Sequence, residues 1–111
     1  MICVVYSSVA SDFVDEEDVQ KILTRAEIHN AKTGITGALV YDGRRFCQLL
    51  EGNDDAVTSM FDDIMKDARH GDIKVMAQME VADRRFPGWA MLRVEEPEFQ
   101  TMLEGLAIRP D

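Results

Sequence analysis

The sequence predicts an α+β domain of ferredoxin-like type: a βαββαβ succession with an added fifth strand, and two helices packed on one face of a mixed sheet. Three observations carry this expectation. Residues 2–7, Ile-Cys-Val-Val-Tyr-Ser, form a β-branched and aromatic run of strand length. Two later stretches, one after Asp15 and one after Asn53, repeat their apolar residues at helical spacing. Between them lies a pair of apolar strands joined at Asp42-Gly43, a dipeptide suited to the positive φ values of a tight hairpin.

Each element has its own signature. In the first strand Ile2, Val4 and Tyr6 share one face and Cys3, Val5 and Ser7 the other, which fits a central strand covered on both sides. Asp15 is the expected N-cap of the first helix, with Glu16, Glu17 and Asp18 in the turn where the macrodipole favours acids. Val19, Ile22, Leu23 and Ala26 make its core-facing stripe, and Gly34 its stop. On spacing alone, His29 and Asn30 near its end are capping groups.

Asp42-Gly43 is expected as a two-residue hairpin loop, followed by a strand in which Phe46, Gln48 and Leu50 share a face. Gln48 is thus an amide on an apolar surface, and a bare buried amide costs on the order of 1–3 kcal/mol, so a polar partner is required. The second helix buries Val57, Met60, Phe61, Ile64 and Met65, keeps Thr58, Asp62, Asp63 and Lys66 wet, and ends near Arg69 and His70. A fourth strand is expected over 73–81 with Ile73, Val75, Ala77, Met79 and Val81 on one face, and a short fifth over 89–94. In this topology strands one and three are expected as parallel neighbours, which sets Tyr6 beside Gln48 under the helix pair.

Composition bounds the function. A chain of 111 residues with 46% apolar content makes one folded domain. Residues 1–94 are expected to form it, and 95–111 a tail with room for one helix containing Phe99, Met102, Leu103 and Leu106. A formal net charge of −9 repels phosphate backbones and anionic headgroups, so neither nucleic acid nor membrane is an expected partner. Cys3 and Cys47 are expected reduced, each a small hydrophobe in its strand. The first apolar run is too short for a leader or a span, which points to a cytoplasmic protein. The apolar outer face of Cys3, Val5, Cys47 and Leu49 is expected to serve as the contact of a homo-oligomer.

Five segments now fall into register: Tyr6-Ser7-Ser8; Asn30 with Gly34-Ile35-Thr36-Gly37; Phe46-Cys47-Gln48-Leu49-Leu50-Glu51-Gly52; Asp67-Ala68-Arg69-His70; and Arg84-Arg85-Phe86-Pro87-Gly88-Trp89-Ala90-Met91. On these residues, which span roughly 2–94, the chain resembles the BLUF domains, flavin-binding blue-light sensors, here with a short C-terminal part. The resemblance implies a flavin ring between the two helices, clamped by Ile22 and Ile64 and bordered by Phe46. It implies that Asn30 bonds the ring edge and that His29, Lys32, Arg69 and His70 lie toward the ribityl and phosphate end. FAD is the expected flavin, with FMN and riboflavin sharing the same ring pocket. The resemblance further implies that Tyr6 gives an electron and then a proton to the photoexcited flavin. Gln48 is then left rotated or tautomerised, which shifts absorption to the red. Trp89 and Met91 carry the implied output to a downstream protein effector, without a catalytic module in the chain.

Two other classes compete. One is a small enzyme on the same fold. The loop Ser7-Ser8-Val9-Ala10-Ser11 lacks the glycines and arginine with which an acylphosphatase-like hydrolase would cradle phosphate, and no nicotinamide site for a flavin-dependent reductase is evident. The other is a flavin-free interaction domain in which Tyr6, Gln48 and Asn30 form a satisfied polar cluster.

Overall fold

The structure, a computed structural model, describes residues 1–105; the tail's Leu106 lies outside it, as does the Met102 side chain. The elements are β1 (Ile2–Ala10), α1 (Glu16–Thr33), β2 (Thr36–Tyr41), β3 (Arg45–Gly52), α2 (Asp54–Met65), β4 (His70–Glu80), β5 (Leu92–Arg93) and α3 (Glu96–Gly105). The sheet order is β4-β1-β3-β2-β5. The first six elements follow the ferredoxin-like succession, and β5 pairs parallel with β2, which makes the sheet mixed.

The expected parallel pairing of β1 with β3 is corrected: the two strands run antiparallel, with Ile2 opposite Gly52 and Tyr6 opposite Gln48. The α1 crossover returns β2 in the direction of β1. The tight hairpin then sends β3 back between them, so β3 opposes both neighbours.

The hairpin register is also one residue from expectation. Asp42 faces Arg45 across a Gly43-Arg44 turn, with Gly43 at φ +96°. The Asp42 carboxylate accepts the N–H groups of Arg44 and Arg45 at 2.9 and 2.7 Å, and this side-chain bracket moves the turn forward by one position.

At the entry to α1, Asp15 and Asp18 form a reciprocal capping box, and Gly34 ends the helix in the left-handed region at φ +74°. Alternation along β1 divides the core into two layers. Ile2 and Val4 pack with Leu50 under Val19, Leu23 and Val57 of α1 and α2, whereas Cys3 and Val5 pack with Leu49 against Phe99 and Leu103 of α3. The outer face expected to be a dimer contact is therefore covered by the chain's own third helix. In β4, shifts in its pairing with β1 break the expected alternation, so Met76 joins Ala77, Met79 and Val81 on the α3 side while Val75 is left exposed.

The fifth strand is only two residues long, because the segment 81–91 is occupied in crossing the end of the sheet. It leaves β4 at one edge and reaches β2 at the other, passing the ends of β1 and β3.

Candidate functional site

A cavity of about 420 Å³ opens between α1 and α2, above the centre of the sheet. That is within the ~300–1,000 Å³ typical of small-molecule sites. Its floor is Tyr6 on β1, Leu39 on β2, and Phe46 and Gln48 on β3. One wall is Ile22, Arg25, Ala26 and His29 of α1, the other Met60, Asp63 and Ile64 of α2, and the turn after α2 closes it with Asp67, Arg69 and His70. The depth is apolar and the rim charged.

On the floor, the Tyr6 hydroxyl donates to Gln48 Oε1, and Gln48 Nε2 points to Met91 Sδ at 3.6 Å. In this arrangement the phenol donates, the oxygen end of the carboxamide accepts, and the N–H end is left toward Met91. Burial, with smaller contributions from the Cys47 and Asp67 charges, pushes the Tyr6 phenol far above its ordinary pKa, so it stays protonated. Its ring packs against Phe61 of α2 with centroids 5.4 Å apart.

His70 lies at the wall with both ring nitrogens engaged. Nε2 lies 2.7 Å from the Ile64 carbonyl, which can only accept, so Nε2 donates there, while Nδ1 shares a 2.7 Å hydrogen bond with Ser8 Oγ. This ring ties β1, α2 and β4 together at the charged end of the cavity. Arg69 donates from Nε to both oxygens of Asp67, at 2.9 and 3.1 Å. That pair holds Asp67 below the usual carboxylate range and Arg69 above its own.

The expected site residues thus divide into two groups. Tyr6, Ile22, His29, Phe46, Gln48, Ile64, Arg69 and His70 line the cavity, whereas Asn30, Lys32, Trp89 and Met91 do not. Lys32 is exposed in the last turn of α1, where it complements the helix C-terminus. Trp89 is 53% exposed while Met91 is 3% exposed, against Gln48. Asn30 is fully buried, and its Nδ2 donates to the Ala90 carbonyl at 2.9 Å. Its Oδ1 has no partner among the described residues, a deficit of about 1–3 kcal/mol for a buried acceptor.

Arg25, Ala26, Leu39, Met60, Asp63 and Asp67 also line the cavity, outside the expected set of site residues. Spacing signals all of them but Leu39: 22, 25, 26, 29 and 60, 63, 64, 67 repeat one stripe on two facing segments.

A flavin fits this site on its own chemistry. Ile22 and Ile64 on facing walls suit a flat aromatic ring. Asn30 follows the wall residue His29 in the chain, and its orphaned Oδ1 lacks a donor of the kind that a flavin's imide N–H is.

Residues 1–92 match the protein family described as BLUF, sensors of blue-light using FAD. Photoactivated adenylate cyclase subunit beta of Euglena longa is 31% identical over 109 residues, covering 92% of this chain and 13% of that protein. The chain therefore spans only a small part of that relative. The dark-state structure of BlrB, described as a BLUF protein, superposes with a TM-score of 0.82 at 31% identity, covering 95% of this chain and 82% of that one. Klebsiella pneumoniae BlrP1, solved with FMN and cyclic diGMP, gives a TM-score of 0.80 at 32% identity over 98% of this chain and 30% of its own.

Proposed function

Since the chain belongs to the BLUF family of blue-light sensors, we propose that its light response is a proton and hydrogen-bond rearrangement at Tyr6 and Gln48, beneath a flavin held between α1 and α2. The observation that carries this reading is the buried Tyr6–Gln48 hydrogen bond on the cavity floor. Bound flavin supplies the blue absorption and, once excited, an acceptor for one electron and one proton.

The residues do the rest. Ile22 and Ile64, on opposite walls, would hold the ring and exclude water, and the unpartnered Asn30 Oδ1 would accept from its imide N–H. Tyr6, kept protonated by burial, is the donor at Oη. Once that oxygen has lost its proton it can only accept, so it favours the N–H end of the Gln48 amide over the oxygen end. Gln48 then turns over or changes tautomer and presents a donor to the cavity. The rearranged amide outlasts the return of both the electron and the proton to Tyr6, and the absorption band lies to longer wavelength until it relaxes.

FAD is the flavin proposed, as the family description names it. The chain itself is proposed to be non-catalytic and to act by contact with a downstream protein. Among the described residues no helix is long and apolar enough to cross a membrane, and a cytoplasmic location is proposed. A homo-oligomer would have to use a surface other than the back of the sheet, which α3 covers. The test is the absorption spectrum of purified protein before and after blue illumination. A yellow protein whose band moves reversibly to the red supports the reading; a flavin-loaded protein with an unmoving band contradicts it.

A further inference from the structure

The Gln48 to Gly52 segment contains a residue that the light chemistry leaves unused. Glu51 is fully buried near the end of β3. A buried carboxylate is costly unless its lone pairs are met. Oε1 accepts the Arg85 N–H at 2.7 Å, and Oε2 accepts the Phe86 N–H and the Thr36 hydroxyl, each at 2.8 Å. Arg84 Nη1 braces the arrangement by donating to Thr36 Oγ1 at 2.8 Å and to the Glu51 carbonyl at 3.3 Å.

All these partners except Thr36 belong to the 81–91 crossover, at the point where it passes the end of β3. Within six residues the same segment brings the Trp89 carbonyl to the Gly37 N–H at 3.2 Å, the Ala90 carbonyl to Asn30 Nδ2, and Met91 Sδ to Gln48 Nε2. We propose that Glu51 is a positioning residue for the light response: its carboxylate fixes the crossover so that Met91 meets the Gln48 amide. The geometric half stands alone, and the kinetic half rests on the proposed function. Without that anchor the resting arrangement loses its Met91 contact, and return to it after illumination slows.

The test is Glu51→Gln, which keeps the shape of the side chain but puts an N–H where an acceptor is needed. The Met91 methyl carbon resonance, assigned with Met91→Leu, is recorded in the dark with and without flavin, and dark recovery is timed after a blue pulse. The expected result is a displaced Met91 signal in both forms and recovery slowed at least about threefold, with the slowing absent when Met91→Leu is already present. An unmoved Met91 signal in folded protein, or equal slowing in the Met91→Leu background, overturns the proposal. Thr36→Val removes one of the three donors to the Glu51 carboxylate, together with the acceptor of Arg84 Nη1, and is held to the same readouts, with smaller effects, if Glu51→Gln does not fold. If the parent protein binds flavin but shows no light-induced shift, the functional reading fails while the Met91 signal still decides the positioning.

Discussion

Tyr6 and Gln48 stand directly opposite one another on adjacent antiparallel strands, and the phenol of one donates to the amide oxygen of the other. The pairing is set by backbone register, since both side chains point to the helix-covered face and neither can leave it without a one-residue slip. Light sensing then needs no new contact between these residues, only a reversal of what the amide presents.

Tyr6→Phe is expected to fold and bind flavin, because the ring still packs against Phe61, but to lose most of the light-induced shift. The same variant has an alkaline signature. The folded pKa of Tyr6 is raised, so its contribution to stability is full below the ordinary phenol value near pH ~10 and is lost as pH rises beyond it. Cys3, pushed up to about 11, and Cys47, pushed up to about 12, both chiefly by burial, add to the loss in the same direction. Denaturant midpoints measured from pH 8 upward should fall less steeply in Tyr6→Phe than in the parent.

Asn30→Ala removes an orphaned acceptor and one bond to the Ala90 carbonyl, two changes of opposite sign. Flavin-free stability should shift by no more than about 1 kcal/mol, while flavin affinity falls roughly tenfold, the worth of one buried hydrogen bond. Titration of the flavin-free protein monitored by flavin fluorescence checks this. Unchanged affinity would leave Asn30 as a strut for the crossover alone.

Phe99→Ala opens the back layer where α3 covers Leu49 and Val5. A cost of about 3–5 kcal/mol in chemical unfolding is expected for emptying such a site. Exposure of that apolar face should also make the protein self-associate on size exclusion, as the bare sheet would.

Gly37→Ala should be among the most damaging single-methyl changes, for a reason specific to one atom. A Cβ at position 37 would lie 2.0 Å from the Leu49 carbonyl oxygen, in the backbone of the neighbouring strand. Neither strand can yield without disturbing Gln48, so loss of soluble protein or of flavin is expected. Expression and thermal melts against Gly71→Ala, where a Cβ meets nothing within 4 Å and φ is not positive, separate this clash from the general cost of replacing a glycine.

The sequence was most legible where periodicity and chemistry coincided. Two-residue alternation in β1 and β3 was enough to put Tyr6 and Gln48 on the helix-covered face, and helical spacing put Ile22 and Ile64 on core-facing stripes, while their facing one another came from the family resemblance. Strand direction was not readable in the same way: alternation is identical for parallel and antiparallel partners, and only the hairpin return decides between them. Local side-chain brackets also escaped, as with Asp42, whose carboxylate displaced the turn by one residue. The back face looked bare because α3 is only weakly patterned, and its two covering side chains, Phe99 and Leu103, do not reveal from spacing which surface they meet. The bonds that fix His70, to Ser8 on β1 and to the Ile64 carbonyl, also lay beyond spacing, because they join segments far apart in the chain.

The light-minus-dark difference spectrum of flavin-loaded Gln48→Leu, taken beside the parent protein under the same blue illumination, bears most directly on the central claim. Leucine fills the space but can neither accept from Tyr6 nor turn a donor toward the ring, so flavin should stay bound and the red-shifted feature should vanish. A variant that retains flavin and still shows the parent's reversible shift would contradict the account.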